Sequence, residues 1–268
     1  MRVRVTFRVN NRGGLVPFHH QYLISEVFRD ILQRESKDDL KDYPFFSFSG
    51  IKGQTRLSKA GLHYNSRRVT IVISSPNADF VEHLVGAIFR NKEIQLGALN
   101  LTPEMAEEEL PVTLHRETKF ICISPIVTSD DFHSPEHKLF IEPSSNDFSD
   151  QIYDATIARM TEFGIDTDAI PEVHKFQLIP DEDYLDKLRA SNKKFSRIYP
   201  VYHQGEQLEA RGYTFPFTLF AAPEIQDFIF TCGLGTCCSM GFGMLDLVNS
   251  DPTERTVPYK SAESLVST

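Results

Sequence analysis

The amino-acid sequence predicts an α+β protein with two domains, each built with the element order β-α-β-β-α-β. Three observations predict this class. Residues 2–9 alternate charged and apolar side chains with the period of two that is typical of a β-strand. Residues 20–33 place an apolar side chain at every fourth position, as an amphipathic helix does. A strand-like apolar run at residues 119–127 then begins a similar succession in the second half.

The first half contains the complete element order of one such domain. Its first strand directs apolar residues to one side and Arg2, Arg4 and Arg8 to the other. Strands are predicted at residues 2–9, 45–51, 68–74, 94–101 and 111–114, and helices at residues 20–33 and from Pro76 onward, with Ser75 as the N-cap. This order is the ferredoxin-like arrangement, which RNA-recognition modules also use.

The second half repeats the succession with a polar interruption. Strands are predicted at residues 119–127, 173–179, 195–202, 213–221 and 243–248, and helices at residues 152–163 and 223–230. Residues 129–150 are rich in Asp, Ser, Asn and Pro, which predicts a loop or insertion. A boundary near residues 112–118 divides the chain into an N-terminal ferredoxin-like domain, residues 1–115, and a C-terminal one, residues 116–268.

The charge distribution favours an anionic partner for the N-terminal quarter. The 268 residues carry a formal net charge of −9. Residues 1–68, however, hold 13 Lys and Arg against 6 Asp and Glu, a balance of +7, so the remaining residues carry −16. A basic quarter on an acidic body can attract phosphates locally. The alternative is a solvated charged surface with a chance asymmetry.

Two further classes are disfavoured. No apolar run approaches the roughly 18–20 residues that a membrane span needs, and the N-terminus alternates charged and apolar residues, unlike a secretory signal. We therefore expect a cytoplasmic protein without a membrane partner. The cysteines lack the paired spacing of a zinc site, so we expect reduced, packed thiols and neither metal nor cofactor.

A glycine-rich segment at residues 233–243, GLGTCCSMGFG, is the most specific local pattern. Glycines at this density permit positive φ and let a phosphate or ribose approach backbone N–H groups. The segment is not a nucleotide P-loop, because no Gly-Lys-Ser/Thr follows, and its spacing does not match a Rossmann fingerprint. A tight structural turn between a helix and a strand is equally compatible with the sequence.

Four stretches of the chain form a recognisable set. They are HHQYLISEVFRDIL in the first helix, Ser124-Pro125-Ile126 after an apolar strand, the pattern G-x-G-x₅-G-F-G, and PFTLFAAPEIQDFIFTCGLGTCCSMGFGMLDL around it. In this order they resemble the first helix, the Ser-Pro motif and the closing strand, helix, loop and strand of the repeat-associated RNA-binding superfamily. The specific match is to its CRISPR repeat-processing endoribonucleases, and the resemblance covers nearly the whole chain.

This resemblance implies two ferredoxin-like domains that bind repeat RNA across a basic surface. It also implies cleavage without metal, in which a general base deprotonates a ribose 2′-OH that attacks the neighbouring phosphate. The products are a 2′,3′-cyclic phosphate and a 5′-OH. In the family, a histidine just after the first helix usually supplies the base. Residues 36–44 contain no histidine, which is the main departure from the pattern.

The predicted catalytic residues are therefore His20, His19, His63, Tyr43 and Lys52. The first two open the first helix, where the helix dipole keeps a histidine neutral and available as a base. His63 follows a loop rich in Lys and Arg. A lysine base requires a depressed pKa. For each histidine the alternative is a hydrogen-bonded or surface role.

The predicted RNA-binding residues form two basic clusters and the glycine-rich segment. They are Arg56, Lys59, Arg67 and Arg68; Lys193, Lys194 and Arg197; and Gly233, Gly235, Gly241 and Gly243. Solvated turn lysines are an equal alternative for the second cluster. The glycine-rich segment has no Lys or Arg, so a contact there would come from backbone N–H groups or from Thr236 and Ser239.

Three functions are compatible with the sequence. The first is a metal-independent endoribonuclease that matures CRISPR RNA and can stay on the guide RNA with effector-complex subunits as partners. The second is a non-catalytic repeat-RNA-binding subunit, which the missing histidine favours. The third is a ferredoxin-like protein unrelated to RNA, which the acidic total charge favours. The sequence leaves monomer and homodimer open.

Overall fold

In this computed structural model, which describes residues 1–35, 38–128, 140–203 and 206–260, the chain divides into two units. One contains Met1–Pro111 and the segment that starts at Asp251, and the other contains Val112–Ser250. The elements of the first unit are β1 (Arg2–Val9), β2 (Leu15–Val16), α1 (Gln21–Glu35), α2 (Asp38–Lys41), β3 (Ser47–Phe48), β4 (Thr55–Leu57), β5 (Leu62–Tyr64), β6 (Arg68–Ser74), α3 (Ala78–Arg90), β7 (Ile94–Leu96) and β8 (Leu99–Glu109). Those of the second unit are β9 (Glu117–Cys122), β10 (Ile126–Val127), α4 (Asn146–Phe163), β11 (Gln177–Pro180), α5 (Glu182–Ala190), β12 (Ser196–His203), β13 (Glu206–Tyr213), β14 (Pro216–Phe220), α6 (Pro223–Cys232) and β15 (Leu245–Leu247). The last strand, β16 (Thr256–Pro258), belongs to the first unit.

The first unit is built on an antiparallel sheet with the order β16-β8-β1-β6-β3. Alternation in β1 buries Val3, Val5 and Phe7 in one core with the apolar faces of α1 and α3. The chain order β1-α1-β3-β6-α3-β8, with β1 between β8 and β6, is the predicted ferredoxin-like arrangement. A smaller sheet, β2-β5-β4, lies in the same unit.

The helix α3 begins at Ala78, later than predicted. Its N-cap is Asn77, whose side chain accepts a hydrogen bond from the Phe80 N–H at 3.1 Å. Ser75, the predicted N-cap, instead donates its hydroxyl to the Phe45 carbonyl at 2.8 Å and accepts from the Asn77 N–H. Asn77 rather than Ser75 therefore caps the start of α3.

The predicted polar side of β1 is partly buried. Arg2 and Arg4 each form an ion pair with Glu109 at 2.7 Å, and Arg255 contacts the same carboxylate at 3.2 Å. Of the three arginines on this side of the strand, Arg8 alone is exposed. Buried charges require such partners, because an isolated buried carboxylate is very costly.

The described part of the C-terminal tail completes the first sheet. The strand β16 pairs with β8, with Thr256 opposite Glu109. The prediction placed the residues after 250 in the C-terminal domain, whereas the structure assigns residues 251–260 to the first unit. Arg255, which contacts Glu109 just before β16, gives this return a physical reason.

The second unit repeats the arrangement. Its antiparallel sheet has the order β11-β14-β9-β15, and the chain order β9-α4-β11-β14-α6-β15 again gives β-α-β-β-α-β. A second sheet, β10-β13-β12, is formed largely by a hairpin inserted between β11 and β14. The helix α5, which the sequence did not predict, precedes this hairpin.

Several predicted boundaries in the second unit were wrong. Residues 119–127 form two strands in different sheets, because the chain breaks at Pro125, which cannot donate to a strand ladder. The helix α4 begins at Asn146 rather than at residue 152, with Ser145 as its N-cap. The predicted strand at residues 213–221 is the end of β13 followed by β14. Residues 129–139 of the predicted loop lie outside the described residues.

The first unit shows two smaller differences. The predicted strand at residues 94–101 is the turn region of the β7–β8 hairpin, with Ile94 opposite Leu101. Residues 111–114 form no strand. The strands β4 and β5 form a hairpin where the sequence indicated a loop or hairpin.

Candidate functional site

The turn that leads into α1 and the small sheet of the first unit hold three of the five predicted catalytic residues, His19, His20 and His63. A chain of hydrogen bonds joins the two elements. The Tyr64 hydroxyl donates to the Ile51 carbonyl at 3.0 Å, and the Ile51 N–H donates to Nε2 of His20 at 3.3 Å. Lys52 follows Ile51 in the sequence, and His63 precedes Tyr64 on β5.

Both ring nitrogens of His20 are used within the protein. The Pro17 carbonyl lies 3.1 Å from Nδ1 and can only accept, so Nδ1 carries the proton, and Nε2 accepts from Ile51. His20 is only 8% exposed, and burial lowers its pKa. This ring is neutral and links α1 to the strand-like segment at residues 50–52. Its geometry favours a structural role over that of a base.

His63 has a different geometry on the central strand of the small sheet. Its Nδ1 lies 2.9 Å from the Gly13 carbonyl, so Nδ1–H donates and the neutral ring keeps a lone pair on Nε2. The ring is half-buried. Arg56 lies directly opposite on β4 and Leu15 on β2, within the short distance of cross-strand neighbours. His63 thus combines an oriented ring with an adjacent cation.

The other three predicted catalytic residues are less well placed. Lys52 is half-buried, and its backbone forms a two-way bridge with Thr70, both bonds at 2.9 Å. His19 is half-buried beside His20. Tyr43 packs its ring against Phe80 at 4.9 Å, within the aromatic part of the core. The hydrogen bonds therefore link His20 to the segment that contains Lys52, whereas His63 lies on the small sheet and Tyr43 packs against the core.

The β4–β5 hairpin presents the first basic cluster to solvent. All three residues of β4, Thr55–Leu57, are exposed, and Leu57 is 72% exposed. Arg56 and Lys59 are exposed on the strand and on its turn. A hairpin with two exposed cations and an exposed apolar side chain offers both charge and contact area to an RNA strand.

Arg67 and Arg68 lie at the start of β6, and both are exposed. Arg68 forms a bidentate ion pair with Glu104, at 2.5 and 3.1 Å, and this hydrogen bond lowers the pKa of Glu104. Arg8 on β1 lies opposite Arg68 and is exposed. The site prediction omitted Arg8, although its alternation with buried residues indicated exposure.

The second basic cluster is also at the surface. Lys193, Lys194 and Arg197 are exposed, with Arg197 on β12. Across the hairpin, Arg211 on β13 lies opposite Ile198. Because Arg197 lies opposite Gly212, Arg211 is on the other face of the hairpin and is not part of this cluster.

The glycine-rich loop, residues 233–243, is wound tightly and buried. Its four glycines have positive φ, from +70° to +92°. A Cβ at Gly235 would lie 2.2 Å from the Val127 carbonyl oxygen, and one at Gly243 would lie 2.1 Å from that of Leu234. The N–H groups of Gly233, Gly241 and Gly243 donate to carbonyls of the same unit. Close backbone approach therefore explains Gly235 and Gly243, positive φ favours glycine at all four positions, and their contact with RNA stays a prediction.

The Ser-Pro motif is part of the same structure. The Ser124 hydroxyl accepts from the Met244 N–H at 2.8 Å, and the Pro125 carbonyl accepts from the Gly243 N–H at 2.6 Å. Val127 forms a parallel bridge with Gly235. The two motifs, far apart in sequence, are thus joined by backbone hydrogen bonds.

Arg159 is a positioning residue that the sequence reasoning missed. Its guanidinium donates to the carbonyls of Cys232 and Gly233 at 2.8 Å and of Gly235 at 3.1 Å. It also lies over the Phe228 ring, 5.6 Å from the centroid. One side chain therefore holds the end of α6 and the start of the loop. The signal in the sequence was a single basic residue in an otherwise acidic helix.

The cysteines and the acidic residues that the structure describes form no metal site. Within the described ranges, no three His, Cys, Asp or Glu side chains are grouped to hold an ion. Burial raises the pKa of both Cys122 and Cys232 to about 12, so these thiols are protonated. Among the described helices, none combines the length and apolar character needed to cross a bilayer.

Comparison with known proteins identifies relatives of the whole chain. The family model described as CRISPR associated protein Cas6, C-terminal, matches residues 106–247. The putative CRISPR-associated endoribonuclease-like protein Cas6nc of Pyrococcus horikoshii is 24% identical over 92% of this chain and 100% of that protein. The CRISPR-associated endoribonuclease Cas6 1 of Methanocaldococcus jannaschii is 23% identical over 91% of this chain and 92% of that protein.

A solved structure supports the same fold. The protein described as an RAMP protein binding different RNA substrates aligns with a TM-score of 0.74 and 22% identity, over 93% of this chain and 100% of that one. The predicted tandem ferredoxin-like fold is confirmed. The family model and the two curated relatives confirm the resemblance that the sequence motifs predicted.

Proposed function

The chain belongs to the Cas6 family of CRISPR-associated proteins, and on that premise we propose that it binds CRISPR repeat RNA and cleaves it. The match to the Cas6 C-terminal model over residues 106–247 is the observation that carries this proposal. The joined Ser-Pro motif and glycine-rich loop lie within that match. The activity belongs in the cytoplasm, where precursor RNA is available.

His63 is the general base in this proposal. Its Nε2 takes the proton of a ribose 2′-OH as the 2′-oxygen bonds to the adjacent phosphorus and the bond to the 5′-oxygen breaks. The Gly13 carbonyl fixes the ring, and Arg56 supplies positive charge for the developing phosphorane. The 5′-oxygen leaves as 5′-OH after it takes a proton, and a 2′,3′-cyclic phosphate remains. The chain needs no metal for these steps.

The RNA follows the basic residues of both units. In the first unit it contacts Arg56, Lys59, Arg67 and Arg68, and in the second unit Lys193, Lys194 and Arg197. Exposed cations at these positions can replace counterions along a phosphate backbone. Arg68 must exchange Glu104 for phosphate, which is feasible because exposed ion pairs are weak.

A second candidate function is binding without cleavage. It is favoured by the absence of histidine from residues 36–44 and by the occupied ring of His20. In this case the chain holds the repeat end of a guide RNA, alone, as a homodimer or beside effector-complex subunits. The basic residues keep the same role, and His63 has none in chemistry.

Incubation of the pure protein with cognate repeat RNA in EDTA tests the proposal. A second RNA carries a single 2′-deoxy substitution at the cleavage site. We expect cutting of the first RNA and sparing of the second, with a 2′,3′-cyclic phosphate on the product. Tight binding of both RNAs without cutting would establish the second candidate, and no binding of either would exclude both.

A further inference from the structure

A surface cavity of about 450 Å³ lies in the second unit, outside the sites described above. It is lined by Asn146, Ser149, Asp150, His174, Lys175, Phe176, Gln177 and Phe220. None of these residues belongs to the predicted site or to the glycine-rich loop. The volume lies in the range that binds small ligands in proteins.

Aromatic residues form one side of this cavity. Phe220 is half-buried at the end of β14 and lies opposite Gln177 of β11 in the sheet register. Phe176 is half-buried, and its ring packs against Tyr153 of α4 at 5.5 Å. Partly exposed rings at a sheet edge are surfaces on which unpaired bases stack.

The polar wall of the cavity is held in place. The Ser149 hydroxyl accepts from the Leu178 N–H at 3.0 Å, which ties α4 to β11. His174 and the Tyr153 hydroxyl share a hydrogen bond of 3.1 Å. On this fixed frame, Asn146, Asp150 and Gln177 are exposed and present two amides and a carboxylate.

The charges of the cavity decide which part of a nucleotide enters it. The cation of Lys175 is paired with Glu172 at 2.5 Å, and Glu172 also binds Arg116. The Asp150 carboxylate repels a phosphate but accepts N–H groups. A base edge with two adjacent N–H donors therefore fits better than a phosphate. Guanine offers this pair, at N1 and at its exocyclic amine.

We propose that this cavity binds an unpaired guanine of the repeat RNA. The base stacks on Phe220, Asp150 accepts from its N1–H and amine, and the amides contact the remaining edge. The inference rests on the proposed function, since the guanine comes from the same RNA, and it gives the second unit a role in recognition of sequence.

A double-mutant cycle between protein and RNA tests this assignment. The equilibrium affinity is measured for repeat RNAs in which each unpaired guanine in turn is inosine, which lacks only the 2-amino group. The proteins are wild type, Asp150→Asn, Phe220→Leu and Phe220→Tyr, with Asp183→Asn and Tyr184→Ala on α5 as surface controls. Thermal unfolding of each variant shows whether it is folded.

We expect Phe220→Leu to weaken binding by about 5- to 30-fold and Phe220→Tyr to preserve it, because stacking on an aromatic ring is worth that much. Asp150→Asn should weaken binding by about 5-fold or more, and inosine at one position should add no further loss to that variant. If wild type binds the repeat RNA but the effects of the protein substitutions and of inosine are independent, the guanine proposal is overturned and the proposed function is not. If wild type binds no repeat RNA, both the guanine proposal and the proposed function are excluded.

Discussion

The β4–β5 hairpin of the first unit and the glycine-rich loop of the second are built in opposite ways. In the hairpin, Thr55–Leu57 are exposed, and the exposed side chains of Arg56 and Lys59 carry positive charge. In the loop, the four glycines are buried, and several N–H groups donate to carbonyls of the same unit. The hairpin therefore offers side chains to a ligand, whereas the loop offers a fixed frame. The comparison predicts that the hairpin contacts and cleaves RNA and that the glycine-rich loop stabilises the fold.

The largest expected effect is on the cleavage rate and comes from a substitution in the β4–β5 hairpin. His63→Ala should lower the single-turnover cleavage rate in EDTA by about 100- to 10,000-fold, because it removes the proposed general base. His115→Ala, an exposed histidine in the second unit, is the matched control and should cleave at the wild-type rate. Equal rates for both variants would reject His63 as the base.

Substitutions in the glycine-rich loop should lower the free energy of unfolding. Gly243→Ala places a Cβ 2.1 Å from the Leu234 carbonyl oxygen at φ +70°, so we expect a loss of roughly 2–4 kcal/mol in the free energy of unfolding. Gly164→Ala has a similarly positive φ, +96°, but no atom within 4 Å of its Cβ, and should cost only about 1 kcal/mol. Urea denaturation measures both. Equal losses would show that the close approach at Gly243 is unimportant.

Substitutions of Arg159 test how the glycine-rich loop is held in place. Arg159→Met keeps the apolar stem over Phe228 but removes three hydrogen bonds to loop carbonyls, so it should cost roughly 1.5–3 kcal/mol. Arg159→Lys should recover part of this loss, because an ammonium reaches fewer of the three carbonyls. Hydrogen exchange at residues 233–243 should accelerate in the Met variant. Unchanged exchange would contradict the positioning role.

The smallest expected effect concerns His20. Because burial lowers its pKa in the folded state, the unfolded chain binds a proton more readily below the usual value of 6.5. The stability that His20 contributes is present above pH 6.5 and decreases as the pH falls toward the lowered folded pKa. His20→Gln should therefore lose less stability than wild type between pH 7.5 and pH 5.5, whereas His115→Gln should behave like wild type. An identical pH dependence in all three proteins would show that His20 does not titrate in this way.

Local patterns predicted much of the fold. The alternation in β1 and the stripes of α1 and α3 are contained within each element, and both ferredoxin-like units follow from their order. The helix α5 escaped prediction because Leu185 is its single buried residue, so no apolar stripe marks it. The break at Pro125 was hidden within one long apolar run.

The candidate site depended more on contacts between distant residues. The roles of His20 and His63 follow from carbonyls and N–H groups of Pro17, Ile51 and Gly13, which no spacing in the sequence reveals. Arg159 lies more than 70 residues from the carbonyls that it holds. The glycine pattern was recognisable, but its reason, contact with Val127, depends on the folded chain.

Hydrogen exchange with and without RNA tests the central comparison most directly. The ligand is repeat RNA with the 2′-deoxy substitution, because the proposed reaction cannot cleave it. We expect slower exchange at residues 55–64 when RNA is bound, and no change at residues 233–243, whose internal hydrogen bonds slow exchange in both states. New protection at residues 233–243, with none at residues 55–64, would contradict the account and make the glycine-rich loop the RNA-binding element.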